Sequence, residues 1–374
     1  MSQNTAADRS DTLVCNIDRA IQTHYSRAVH IVAIILFLMT FLLIAVGGNV
    51  TSLDAGLAVP DGWTTFGYPT PIAPPSVWWD NLGTRWEHGH RLVGNVVGIL
   101  AITMVVMSYW KQRQRKWVPK LAVALLLMII VQGTMGVYRV TEISTSLALI
   151  HGVFGQMILG ACVLMVVGTS KLWISLVTQK EHTAQAVSTT ISYLRIMCIT
   201  LIVLLLLQLV LGASVRHTKS ALAIPDFPAM YGGWIPPMSQ EAINQTTAEW
   251  GVRPYEAYQV HLHFSHRLFA YGIFIYGLAL FAILVKRARY QRELAAPAFA
   301  VMNLLLLQVA LGISVVITGE YPLIATGHQA TGAALLAASV WLTIRTFLVS
   351  SVEGASTLQS QPAQSAGTLQ GGVA

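Results

Sequence analysis

Residues 87–110 read EHGHRLVGNVVGILAITMVVMSYW, and residues 263–285 read HFSHRLFAYGIFIYGLALFAILV. Each stretch opens on a polar cluster ending in His-Arg-Leu and then continues without a charge. A helix needs roughly 20 mostly apolar residues to cross the hydrocarbon core of a bilayer. Eight stretches meet that test, at approximately 28–48, 89–109, 120–138, 149–169, 194–215, 262–285, 297–318 and 327–349. The 374 residues are 54% hydrophobic and only 10% charged, against about a quarter charged in a soluble domain. The expected fold is an all-α polytopic membrane protein with eight transmembrane helices.

The net charge of +7 is a topology signal. Threading eight spans puts sixteen of the 23 Lys and Arg residues on the side of both termini and five on the other, with Arg91 and Arg267 inside spans. Positive loops stay in the cytoplasm, so an N-in/C-in arrangement is expected, with the basic clusters near anionic lipid. No aromatic interleaving suggests nucleic acid. Residues 1–27 are polar and mixed in charge, so the first span is expected to serve as the insertion signal. Of three cysteines, Cys15 falls on the cytoplasmic side and Cys162 and Cys198 fall inside spans. No outer-loop disulfide is therefore expected.

The two opening stretches belong to a repeat. Gly56–Asp61 (GLAVPD) matches Ala221–Asp226 (ALAIPD) at an offset of 165 residues. His90-Arg91-Leu92 matches His266-Arg267-Leu268, and Gln132-x-x-x-Gly136 matches Gln308-x-x-x-Gly312, both at 176. His151-Gly152 matches His328-Gln329 at 177. Four landmarks in one order predict two pseudo-symmetric four-helix bundles in parallel topology. The expected segments are a cytoplasmic 1–27, a first half 28–169, a cytoplasmic linker 170–193, a second half 194–349 and a disordered tail 350–374. The outer loops, roughly 49–86 and 216–260, are rich in Pro, Trp, Tyr and Gly and are expected to cap the helix ends.

Ionisable residues inside a membrane are costly and mark function. His90 and His151 lie 61 residues apart, and His266 and His328 lie 62 apart. All four fall near the outer ends of even-numbered spans. Two imidazoles at one depth on facing helices suit the two axial positions of a heme iron. Arg91 and Arg267 follow such histidines and are expected either to snorkel or to pair with a heme propionate. Glu87 stands three residues before His90, one turn nearer the outside, where the second half has His263. That difference suggests that the halves do different work. Gln132, Gln156 and Gln308 lie near the outer ends, and Gly133, Gly136, Gly212 and Gly312 read as helix-packing residues. Without a CxxCH motif, heme binding is expected to be non-covalent.

Together, Glu87-x-x-His90-Arg91, His151, His266-Arg267 and His328 resemble the heme A synthase family over about residues 28–349. Gly47-Gly48, Gly56-Leu57 and Pro60-Asp61 also resemble its first outer loop. The resemblance implies oxidation of a methyl group of heme O to a formyl group by successive hydroxylations, for heme-copper oxidases. It implies His90 and His151 as ligands of the substrate heme, Glu87 as the acidic catalytic residue, and His266 and His328 as ligands of a heme b cofactor. It further implies a bacterial cytoplasmic membrane, sites near the extracytoplasmic side, an electron donor and a neighbouring heme O synthase. A homo-oligomer remains compatible. The chain departs from the family in lacking an outer-loop cysteine pair and in carrying Thr51 where members often have arginine, although Arg216 is present in the second half. The rival readings are a di-heme electron-transfer cytochrome and a heme carrier.

Overall fold

The computed structural model describes residues 6–182, 189–288 and 292–349. Among these residues there are eleven α-helices: α1 (Ala6–His24), α2 (Arg27–Ser52), α3 (Leu82–Lys111), α4 (Trp117–Thr141), α5 (Thr145–Gly168), α6 (Lys171–His182), α7 (Thr189–His217), α8 (Gln240–Glu249), α9 (Ala257–Ala288), α10 (Ala295–Ile317) and α11 (Pro322–Leu348). The expected spans are α2, α3, α4, α5, α7, α9, α10 and α11, each long and apolar enough to cross a membrane. The protein is an all-α integral membrane protein. The tail at 350–374 lies outside the described residues.

Several helices start earlier than the apolar pattern suggests. α3 begins at Leu82, where the Asn81 side chain caps it by accepting from the Gly83 and Thr84 N–H groups. α11 begins at Pro322, a residue suited to the first helical turn. Three helices carry too little apolar sequence to signal a span: α8, in the second long loop, α1 and α6. α1 occupies most of the expected N-terminal segment, and α6 occupies half of the expected linker; the two pack together.

α2, α3, α4 and α5 contact one another in a closed ring, and α7, α9, α10 and α11 form a second ring with the same order of contacts. In each ring the second and fourth helices sit on a diagonal. The rings join through α2 on α11, α5 on α7 and α5 on α11. Position in this arrangement sets burial: 61% of the most apolar window of α11 is buried, against 11% in peripheral α4. Leu159, Val163 and Val167 of α5 meet Ala333 and Ala337 of α11 at the joint. Small side chains let these central backbones come close.

The two long loops fold over the same end of the rings by the same devices. Left-handed backbone occurs at Asp54 and Lys219, Phe66 and Tyr231, and Gly67 and Gly232, pairs spaced by the 165-residue offset. Asp61 Oδ2 accepts from Gly67 N–H and the Thr64 hydroxyl, which holds this carboxyl below its ordinary pKa. Asp226 accepts from the N–H groups of Tyr231 and Gly232. The first loop adds a short hairpin, Thr64–Thr65 with Tyr68–Pro69. The second adds α8 and a small core of Ile224, Ile243, Tyr255 and Val260. Trp63 and Trp234 remain exposed, as suits a headgroup interface.

An arginine ties each loop down. Arg91 donates to the carbonyls of Val59 (3.0 Å) and Thr64 (2.6 Å). Arg267 donates to the carbonyls of Ile224 (2.8 Å) and Asp226 (2.8 Å) and to His263 Nε2 (3.1 Å). Replacing Arg267 by Met should leave buried carbonyls without donors and cost about 3 kcal/mol. A lowered unfolding midpoint in detergent and faster proteolysis within 216–260 are expected; unchanged values would show that the loop is held by other means.

Candidate functional site

His90 lies near the start of α3, His151 of α5, His266 of α9 and His328 of α11. Each falls within the first three turns of its helix, so all four reach a common level. Their helices are the diagonal pairs of the two rings. His90 and His151 are close enough to interact electrostatically, as are His266 and His328. Among the described residues, no group of three or more His, Cys, Asp or Glu is placed to hold a metal ion. The histidines come in twos.

Each imidazole lies against a glycine of a helix on the other diagonal. A Cβ added to Gly47 on α2 would stand 2.8 Å from His90 Cε1, and one on Gly136 of α4 would stand 3.0 Å from His151 Cε1. The same construction gives 3.0 Å from Gly212 on α7 to His266, and 2.9 Å from Gly312 on α10 to His328. Gly136, Gly212 and Gly312 therefore make room for a side chain, where the sequence suggested backbone packing. Gly133 faces open space. The signal was present: Gly47 and Gly212 share the loop offset, and Gly136 and Gly312 share the helix offset.

Glutamines brace the imidazoles. Gln132 Nε2 donates to the His151 carbonyl at 2.9 Å. His328 Nδ1 lies 3.1 Å from the Gln308 carbonyl. Gln208 Nε2 contacts both the His266 carbonyl and Nδ1 at 3.0 Å. Gln208 was not singled out from sequence because its counterpart in the repeat is Leu43. In the first ring the Leu43 carbonyl lies near His90 and the Gln132 carbonyl near His151, but neither Nδ1 completes a hydrogen bond. Buried side-chain oxygens of Gln132, Gln156, Gln208 and Gln308 also lack partners.

Glu87 is buried beside this first pair. Its Oε2 accepts from Val59 N–H at 2.8 Å and its Oε1 from Arg91 at 3.0 Å. His263 holds the equivalent place, near Ile224 N–H (3.3 Å) and Arg267. One loop latch is thus anionic and the other neutral. Arg91 and Arg267, expected to snorkel or to meet propionates, have their guanidinium groups on loop carbonyls. His88 is a buried strut, stacked on Trp78 at 4.3 Å and 3.0 Å from the Thr65 hydroxyl.

Two further arginines lie where the loops meet the rings. Arg139, counted as a loop charge, reaches into the first ring near His90, His151 and Glu87. Arg216 ties the two rings, donating to the Gln329 side chain, the Gly48 carbonyl and the Ser52 hydroxyl.

The profile of the COX15-CtaA family, described as cytochrome oxidase assembly protein, matches residues 80–340. The chain belongs to this family. Its relatives include a protein named Heme A synthase from Shouchella clausii, 28% identical over 290 residues, covering 76% of this chain and 85% of that one. Another Heme A synthase, from Shewanella oneidensis, is 26% identical over 340 residues, covering 84% and 94%. A third, from Rhizorhabdus wittichii, is 25% identical over 263 residues, covering 68% and 70%.

Within this family member the two latches make a direct test. Glu87→His should keep most of its thermal stability, because a neutral imidazole, as at His263, still accepts from one of the two donors that Glu87 satisfies. Glu87→Leu strands the Val59 N–H and Arg91 and should lose about 3 kcal/mol. Equal instability of both variants would contradict the equivalence.

Proposed function

We propose that this protein is a heme A synthase, oxidising one methyl substituent of heme O to a formyl group by successive hydroxylations. The observation that carries the proposal is the doubled diagonal of histidines, each against a glycine, in a chain of this family. Each ring supplies two facing imidazoles, and among the described residues no third His, Cys, Asp or Glu joins either pair in a metal-binding group, which suits a six-coordinate heme. The unpartnered Nδ1 atoms of His90 and His151 and the four glycine cradles are consistent with rings that turn onto a ligand. His90 and His151 would hold the substrate heme, and His266 and His328 a non-covalent heme b.

Bound heme b supplies a route for electrons to the first site. The side chains hold and orient. A His328 Nδ1–H given to the Gln308 carbonyl leaves the other ring nitrogen as the ligand atom. Gln208 fixes the His266 ring. Both oxygens of Glu87 are engaged, so it acts as a fixed carboxylate that keeps the loop over the first site and stabilises positive charge developing on the substrate. A largely apolar groove of about 440 Å³, lined by Ile130, Val131, Thr134, Met135, Tyr138, Glu142 and Leu147, runs along α4 and the start of α5 and suits the long isoprenoid tail of heme O.

The end opposite the histidines carries Lys111, Arg113, Lys116 and Lys171, which supports placing it in the cytoplasm and the sites near the extracytoplasmic face. The reaction also requires an electron donor and a supply of heme O, for which a heme O synthase is the expected neighbour. A carrier or a simple di-heme cytochrome would have no use for an anionic latch on one side alone.

Gly312→Ala should displace the His328 ring and convert the second heme from a low-spin to a high-spin spectrum, whereas Gly133→Ala should leave it unchanged. Identical spectra for the two variants would remove the cradle from the argument. Glu87→His should retain heme b yet form heme A about a hundredfold more slowly, measured by extracting and identifying the hemes. Parental turnover would reduce Glu87 to a loop anchor.

A further inference from the structure

The first site holds two groups that the internal repeat does not duplicate. Arg139 corresponds to Val315 in the second half, and His217 to Ser52. Arg139 lies in the last turn of α4, half-buried, and among the described residues its guanidinium makes one hydrogen bond, to the Gly56 carbonyl at 3.2 Å. A guanidinium carries five donors, so most of its capacity is unused. Gly56 leaves the space that the guanidinium occupies; a Cβ there would collide with it. The repeat varies in step: where Arg139 becomes Val315, Gly56 becomes Ala221.

His217 ends α7, a helix of the other ring, and α7 packs on α5. Its side chain makes no hydrogen bond among the described residues, and it lies within electrostatic reach of Arg139 and His151. The nearby anion, Glu87, is already committed to Arg91 and the Val59 N–H. Arg216 is committed to Gln329, Gly48 and Ser52. A partly buried cation with spare donors and no anion of its own is costly unless a ligand brings the missing charge.

We propose that Arg139 and His217 together receive a propionate carboxylate of the porphyrin at the first site, so that this site is completed by a residue from each ring. The carboxylate accepts N–H donors from the guanidinium and the imidazole. The proposal rests on the first site taking a porphyrin, and it adds what fixes that porphyrin's rotation about its iron axis. Fixed rotation decides which of the ring methyl groups faces the oxidising chemistry.

Purified full-length protein would be titrated with hemin and with hemin dimethyl ester, whose propionates are neutralised, following Soret absorbance. First-site binding is the component removed by His90→Ala, and second-site binding the component removed by His328→Ala. Wild-type protein should prefer hemin at the first site by about tenfold, and Arg139→Met and His217→Ala should each shrink that preference without altering the second site. Gly56→Ala, a change already present at Ala221, should expel the guanidinium and act like Arg139→Met, which covers any failure of the arginine variant to fold. A first-site preference unchanged in Gly56→Ala and His217→Ala would overturn the proposal. A titration with no component sensitive to His90→Ala would instead overturn the underlying assignment of the first site.

Discussion

An imidazole has no room inside a tightly packed four-helix ring unless the facing helix gives up a side chain. Gly47, Gly136, Gly212 and Gly312 provide that room, each against one of the four histidines. Histidines occupy one diagonal of each ring and glycines the other, so the pairs face each other across the ring while neighbouring helices stay in contact. The rest follows from keeping this level fixed. Gln132, Gln208 and Gln308 grip the histidine-bearing turns, and two arginine-latched loops close the end of the rings above them.

The duplicated frame carries the burden of folding, and departures from it give the two halves different electrostatics. Arg91 and Arg267, Asp61 and Asp226, and the matched left-handed residues are interchangeable in function between halves. Glu87 and His263 meet the same loop N–H and the same arginine position, yet only one is a carboxylate. A substitution that preserves the latch while changing its charge gives the first site an electrostatic character that the second lacks, at little structural cost. Arg139 extends the difference, as do His217 and Ser52 at their paired positions.

The spans and the histidine spacing were legible because both depend on residue type and interval alone. Eight apolar runs leave few alternatives, and a duplicated interval of 61 and 62 residues stands out in a chain with eleven histidines. What the long loops do was not legible. Arg91 reaches Val59 and Thr64, roughly thirty residues earlier in the chain, and no local pattern announces that return. The glycines were visible, but a sequence shows a missing side chain without showing what fills its place. α1 and α6 escaped notice because an amphipathic helix lying beside another helix needs no long apolar run.

Arg216 and His217 show why the joint between rings matters. Successive residues of a helix point about 100° apart, so neighbours at the end of α7 serve different sites. Arg216 turns toward α2 and α11, binding Gly48, Ser52 and Gln329, the last of these next to His328. His217 turns toward Arg139 and His151 in the other ring. A shift of the final turn of α7 would therefore disturb both histidine pairs at once. The central helices α5 and α11, packed through Leu159, Val163 and Val167 against Ala333 and Ala337, resist that shift. The joint holds the two histidine pairs at a constant separation, as the proposed passage of electrons from one bound heme to the other would require.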